Sequence, residues 1–204
     1  MKKIIVAGIA IIALSVSIVS CKKGENDPFL SLKSRKARVV GEWTLTKVEG
    51  TYSDIDPADA SNSTSSTTTY SNGLETVTTT DGSGNSSVQT DSYTVDYSFT
   101  KDQKYTITTT RGTTVDVEEG DWLFMGKNKT DKIKNKEGIY LIKKTTSSTS
   151  GGVTVSSPYT GVSNGMPILI DQLKSKEIVL INESSIDWGT DKETTSTKMT
   201  LTAK

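Results

Sequence analysis

The 204-residue chain contains no histidine and only one cysteine. Without histidine it lacks the one side chain whose ordinary pKa lies near neutral pH and the commonest metal ligand of proteins. A single cysteine excludes a disulfide within the chain and a cluster of thiolate ligands. Because the usual catalytic and metal-binding groups are so scarce, we predict a protein that is not an enzyme and that uses no metal and no cofactor.

The chain also has no excess of charge and few aromatic residues. It holds 24 basic and 24 acidic residues, so nothing favours the phosphate backbone of nucleic acid, and we predict no nucleic-acid partner. Aromatic residues make up only 6% of the chain. This small supply favours a small internal pocket or a filled interior over a wide cavity. Serine and threonine, in contrast, exceed a quarter of the residues, and β-branched threonine fits the surface of a sheet well.

The first residues are typical of an export signal. Lys2 and Lys3 precede an apolar run from Ile4 to Val19. That run is shorter than the roughly 20 residues that a transmembrane helix needs. We therefore predict a signal peptide over residues 1–20.

The only cysteine directly follows this segment, in the order Ile18-Val19-Ser20-Cys21. The four residues resemble a bacterial lipobox, which implies a lipid such as palmitate on Cys21 and a lipid-anchored linker over residues 21–28. The alternative is an ordinary signal peptide beside a chance cysteine. The residue directly after Cys21 is Lys22 and not aspartate. By resemblance to known sorting rules, this residue implies a lipoprotein of the outer membrane, in the cell envelope. Which side of that membrane it faces stays open.

A short helix is predicted between the linker and the first strand. Asp27 and Pro28 favour a helix start, and the helix is expected over Phe29 to Arg38. Its basic residues suggest either attraction to anionic lipid headgroups or a solvated helix face. These residues are Lys33, Arg35, Lys36 and Arg38.

Apolar and polar residues alternate from Trp43 onward, which predicts one antiparallel β domain within residues 29–204. The count of about eight to ten short strands is typical of a barrel or a sandwich. Along one strand, Val115 and Val117 are expected to point inward, with Asp116 and Glu118 pointing outward. Seven aromatic residues are predicted to line a ligand pocket or to pack as core: Trp43, Tyr93, Tyr97, Phe99, Tyr105, Trp122 and Tyr140.

Two segments rich in threonine and serine, 52–87 and 145–157, carry few apolar residues. We expect exposed hairpins or loops that frame one end of the domain. Within the first segment, Asp54, Asp56 and Asp59 offer oxygen ligands of the kind that Ca²⁺ prefers, but an acidic surface loop is the commoner explanation. No metal site is therefore predicted.

Gly41-Glu42-Trp43, placed after the predicted helix and before the alternating strands, resembles the start of the first strand in lipocalins. Together with the lipobox, these residues resemble the lipocalin-like (calycin-type) lipoproteins of Bacteroidetes-type bacteria. The resemblance implies an up-and-down antiparallel β-barrel of about eight strands with Trp43 closing its floor. An immunoglobulin-like β-sandwich is the alternative fold.

The chain departs from the lipocalin pattern at two places. Thr130-Asp131 is followed by Lys132 rather than tyrosine, and no arginine occurs after Arg111 to cover the floor tryptophan. Lys198 could cover that tryptophan only as a weaker, point-charge substitute for the arginine.

The resemblance implies a membrane-anchored, non-catalytic binding module. Its expected partners are the membrane, through the lipid on Cys21, and a small, partly apolar ligand. The alternative is a lipoprotein with a filled barrel, whose surface contacts a protein or glycan partner.

Overall fold

The computed structural model describes residues 33–127, 129, 137–159 and 166–204. The predictions for residues 1–20 and 21–28, including the lipid on Cys21, lie outside this part of the chain, and so does the departure at Thr130-Asp131-Lys132. Within the described ranges, no helix has the length and apolar character needed to span a membrane.

The described chain is all-β, as the alternation predicts, with one five-residue α-helix before the strands. The helix, α1, is Arg35–Val39. The twelve strands are β1 Gly41–Ile55, β2 Thr64–Ser71, β3 Leu74–Asp81, β4 Ser86–Ser92, β5 Thr94–Phe99, β6 Lys104–Arg111, β7 Thr114–Phe124, β8 Gly138–Ser150, β9 Val153–Pro158, β10 Met166–Leu173, β11 Glu177–Asp187 and β12 Lys192–Ala203.

The strands run up and down in one antiparallel sheet, mostly pairing with their neighbours in sequence. Strand β1 is long enough to pair with two strands along one side, with β5 at residues 41–44 and with β2 at residues 47–54. Strand β12 runs along its other side. Pairing therefore passes through eight strands, β1, β5, β6, β7, β8, β10, β11 and β12, and returns to β1. These meander connections differ from the Greek-key connections of an immunoglobulin-like sandwich.

The four strands outside this circuit are the main difference from the prediction of about eight strands. The meander of β2, β3 and β4 extends from the far half of β1, and β9 extends the far half of β8. Strands β2, β3 and β9 are formed by the threonine- and serine-rich segments, and β4 continues the first segment to Ser92. Tight turns explain the regular pairing: Asn72 and Gly73 both have positive φ, as a two-residue hairpin turn requires.

Helix α1 begins with a side-chain cap and leads directly into β1. The Ser34 hydroxyl accepts a hydrogen bond from the Ala37 amide at 3.1 Å, which satisfies one of the free amides of the first turn. The sequence predicts a helix start after Pro28 instead, and residues 27–32 lie outside the described part. The short helix packs at the end of the sheet where β1 begins, and Val39 belongs to the core.

Candidate functional site

The register of the sheet fixes which side chains of β5, β6 and β7 share a face. Tyr97 lies opposite Trp43 on one side and opposite Ile107 on the other. Ile107 lies opposite Glu118. Because directly opposite residues point to the same face, Glu118 shares the inner face with the core residue Trp43.

This arrangement corrects the expectation that Glu118 and Asp116 point outward while Val115 and Val117 point inward. The buried Trp122 and the buried Gly120 set the inward face of β7, and counting back by twos from Trp122 reaches Glu118 and then Asp116. The prediction was wrong because it used only the alternation of valines and carboxylates over residues 115–118. The buried face of β7 is set farther along the strand, by Gly120 and Trp122.

The inner face encloses a cavity of about 450 Å³. Seven of the eight strands of the circuit contribute to it, all except β1. The described side chains around it are Tyr97, Ile107, Glu118, Leu141, Lys143, Tyr159, Ile168, Leu180 and Met199. Most of this lining is apolar, so the cavity offers mainly dispersion contacts and a small number of polar groups.

Two of the polar groups of the cavity, Glu118 and Lys143, form the centre of a connected cluster. Lys143 Nζ lies 2.5 Å from Glu118 Oε2 in an ion pair. The Tyr105 hydroxyl donates to Glu118 Oε1 at 2.7 Å, so both carboxylate oxygens are occupied. The Lys143 ammonium also lies 5.6 Å from the centre of the Tyr159 ring, within the range of a cation–π contact. The N–H groups of Lys143 that do not contact Glu118 can therefore donate hydrogen bonds to one oxygen-rich group of a ligand.

Tyr97 adds a second donor to the cavity. Burial, with a smaller contribution from the nearby Glu118 charge, raises the pKa of the Tyr97 hydroxyl to about 12. Burial and then the hydrogen bond to Glu118 raise the pKa of Tyr105 as well. Both hydroxyls consequently stay protonated at neutral pH, and Tyr97 can donate a hydrogen bond to a ligand in the cavity.

A second cavity of about 460 Å³ continues along the same inner face toward the far half of the sheet. It shares Ile107 and Glu118 with the first cavity. Hydroxyl groups dominate the rest of its inner lining, from Thr109, Thr146, Ser148 and Ser157. The inner surface therefore changes from apolar near the core to polar toward the far half of the sheet.

The core beneath the cavity is filled by large aromatic side chains. The Phe99 and Trp122 rings meet edge to face with centroids 5.8 Å apart. Trp122 meets Phe124 in the same way at 5.4 Å. Trp43 is buried, and its Nε1 donates to the Val39 carbonyl at 2.9 Å, which joins the first strand to α1. Trp43, Phe99 and Trp122 therefore pack as core, while Tyr97 lines the cavity and Tyr105 reaches it through Glu118.

The other two predicted aromatic residues lie elsewhere. Tyr93 packs on Tyr70 with ring centroids 5.2 Å apart and donates to Glu75 at 2.8 Å, beside the β2–β3–β4 meander. Tyr140 lies between the buried residues Ile139 and Leu141, so it points to the outer face of β8. The continuous apolar run around Tyr140 gave no alternation from which its face could be predicted.

The residue expected to cover Trp43 does not do so. Lys198 lies opposite Glu49 and forms an ion pair with Asp171 at 3.0 Å, whereas Trp43 lies opposite Ala203. The guanidinium groups at this end of the sheet come instead from α1. Arg35 and Arg38 are only 5% and 4% exposed, and an N–H of Arg38 donates to the Leu173 carbonyl. The predicted basic cluster is therefore divided, with Lys33 and Lys36 exposed.

The acidic loop after β1 uses its central carboxylate within the loop. The Asp56 carboxylate accepts hydrogen bonds from the amides of Ala58 and Asp59 at 2.8 and 3.0 Å. These bonds, first that from Ala58, hold the pKa of Asp56 below its ordinary value. Among the residues for which the structure gives positions, no group of three or more cysteine or carboxylate side chains could hold a metal ion.

Comparison with known proteins leaves the site to be interpreted from its own geometry. No family model, no curated protein and no solved structure matches the chain.

Proposed function

We propose that this chain is an outer-membrane lipoprotein whose β domain is a lipocalin-like barrel that holds one small, partly apolar ligand without catalysis. The observation that carries the proposal is the cavity of about 450 Å³ bounded by inward side chains from seven strands. Pockets for small ligands commonly measure 300–1,000 Å³ and combine apolar walls with few polar groups.

The barrel is supported by the closed path of pairing through eight strands. Eight-stranded barrels are just wide enough to be filled by side chains or to hold one small ligand. Three register shifts leave Thr46, Lys144 and Asp171 as extra residues in their strands. Bulges of this kind bend strands and increase their twist, which closure of a sheet into a barrel requires.

The chemistry of the lining suggests the class of ligand. Ile107, Leu141 and Leu180 offer an apolar surface, while Lys143 and Tyr97 offer donors. An amphipathic molecule with a carboxylate or another oxygen-bearing head would place its apolar body on the first group and its head on the second. Glu118 is the one carboxylate among the described residues of this cavity, and both its oxygens are engaged. Asp116 lines the adjoining cavity from the same strand, whereas a carboxylate-based glycosidase needs two carboxylates that face each other across the substrate.

Binding of an amphipathic dye tests the proposal. The dye 8-anilinonaphthalene-1-sulfonate carries an apolar double ring and one anionic group. We expect the mature chain to bind it with a stoichiometry of one and a dissociation constant in the micromolar range, measured as saturable fluorescence enhancement. Fluorescence that rises linearly without saturation would contradict a defined internal site.

The anchor is tested separately by Cys21→Ser. The substitution removes the atom that would receive the lipid, and two or three acyl chains hold a protein far more strongly than one. We expect the variant to appear in the soluble fraction of the envelope, while the unaltered chain stays with the outer membrane. Retention of the variant on membranes after a high-salt wash, at the level of the unaltered chain, would refute the lipobox.

A further inference from the structure

One end of the sheet, called the base here, is formed by α1, the β5–β6 turn, the end of β7, the β10–β11 turn and the last residues of the chain. These parts are close in space. The Lys204 amide donates to the Glu42 carbonyl at 3.1 Å, and the Ala203 amide donates to the Lys176 carbonyl at 3.0 Å. The base is also the end at which the chain enters the β domain from the N-terminal residues.

Four exposed lysines lie on the base, each from a different part of the chain. Lys36 lies in α1, Lys101 in the β5–β6 turn, Lys127 after β7 and Lys176 in the β10–β11 turn. Lys36 and Lys101 border one cleft of about 480 Å³ together with Ser34, Ala37 and Val40. The lysines are thus gathered by the fold, although they are distant in sequence.

These four lysines form no ion pair, whereas most other lysines of the described part do. Within the described ranges, none of the four lies within 4.0 Å of a carboxylate oxygen. Seven other lysines do form such pairs: Lys47, Lys104, Lys143, Lys144, Lys174, Lys198 and Lys204. The carboxylate of Glu177 is held by Lys174 at 3.2 Å, and Asp102 is the exposed carboxylate nearest to Lys101 in sequence. Exposed Glu42 lies at this end as well, so the four lysines outnumber these two exposed carboxylates and the base presents an excess of positive charge.

The opposite end of the sheet is acidic. Its β11–β12 turn and the neighbouring end of β1 carry Asp54, Asp187, Asp191 and Glu193, with Lys192 as the lysine among them. The molecule is consequently polarised along the strand direction, although its total charge is balanced. A charged surface would orient it with the base toward negative charge.

We propose that the base is a binding surface for anionic lipid headgroups, contacted by Lys36, Lys101, Lys127 and Lys176. The chain length supports this occupant. Only 11 residues, 22–32, separate Cys21 from the described part, and they span at most about 40 Å when fully extended. A lipid on Cys21 would keep the base near the membrane. The orientation in the cell rests on the proposed anchor, whereas headgroup binding by the four lysines does not.

Vesicle flotation tests the surface without the anchor. The probe is the mature chain with Cys21→Ser, mixed at 50 mM salt with phosphatidylcholine vesicles that contain either 30% phosphatidylglycerol or none. A lysine near an anionic membrane contributes about fivefold to binding. We expect binding to the anionic vesicles only, and its loss at 500 mM salt because ions screen the attraction. Replacing the four lysines by glutamine should lower the partition coefficient at least about 30-fold.

A control variant of equal charge makes the result specific. It replaces Lys47, Arg111, Lys192 and Lys198 by glutamine, which removes four positive charges away from the base. Its partition coefficient should stay within about threefold of the unaltered value, and thermal unfolding confirms that both variants fold. Equal losses in the two variants would overturn the proposal, as would failure to bind anionic vesicles or equal binding to neutral ones. The release of the Cys21→Ser variant from membranes in cells tests only the lipid anchor, and vesicle flotation tests only headgroup binding by the base. Either proposal can therefore fail without the other.

Discussion

Replacing Trp122 by alanine is expected to lower the free energy of unfolding by about 3–5 kcal/mol, the usual cost of removing a buried tryptophan. Trp122 is 0% exposed, meets Phe99 and Phe124 edge to face, and donates from Nε1 to the Thr100 carbonyl at 3.2 Å. The substitution removes these contacts and leaves a cavity in the filled part of the interior. Urea denaturation followed by circular dichroism measures the change.

Trp188→Ala provides the matched control because Trp188 is 64% exposed in the β11–β12 turn. We expect this variant to stay within about 0.5 kcal/mol of the unaltered chain, as surface substitutions usually do. Equal destabilisation by the two substitutions would contradict the placement of Trp122 at the centre of the core.

Filling the cavity by Leu180→Trp is expected to weaken dye binding at least tenfold while the fold persists. Leu180 is buried and borders the cavity of about 450 Å³. An indole in place of the isobutyl group occupies space that the dye would need. Fluorescence titration with 8-anilinonaphthalene-1-sulfonate gives the affinity, and circular dichroism gives the strand content.

The same chemical change on the outer face is the control. Leu123 lies on β7, is exposed, and points away from the cavity. Leu123→Trp should leave dye affinity within about twofold of the unaltered value. If Leu180→Trp binds the dye as tightly as Leu123→Trp does, the dye does not enter the cavity.

Alternation was sufficient to predict the strands that carry the core. Around Val95, Tyr97 and Phe99, apolar residues recur at every second position, and Phe99 is buried as expected. The all-β class follows from such strands. The faces of Val115 and Glu118 could not be predicted locally, because a short strand with valine on one side and carboxylates on the other suggests that the valines are buried. Only the register with Ile107 and the position of Trp122 show that Glu118 points inward.

The cavity depends on information that no single strand contains. Lys143 follows the buried Ile139 and Leu141 by alternation and lies opposite Gly120, whereas the extra residue Lys144 changes the alternation beyond it and places Thr146 opposite Glu118. A bulge of this kind depends on the pairing of two strands and leaves no clear local signal. Leu141 and Leu180 belong to continuous apolar runs, in which alternation does not distinguish inward from outward residues.

The four strands outside the eight-strand circuit show a different limit of prediction from sequence. Segments 52–87 and 145–157 contain few apolar residues, so the sequence predicted exposed hairpins or loops without assigning strands. Cross-strand hydroxyl contacts, such as Ser53 with Thr194 at 2.6 Å and Thr149 with Thr154 at 2.8 Å, accompany regular pairing in these segments. Threonine suits a pleated surface without being buried, which is why a pattern based on hydrophobicity undercounts such strands.

Native mass spectrometry of the protein purified from the envelope of its own host tests the ligand-holding barrel most directly. We expect the unaltered chain to retain one small molecule per protein molecule, and the Leu180→Trp variant prepared in parallel to retain none. The mass of the released molecule would also show whether it carries the expected oxygen-bearing head. An unaltered chain that shows only its own mass, or an equal bound mass in both proteins, would contradict a barrel that holds a ligand in this cavity.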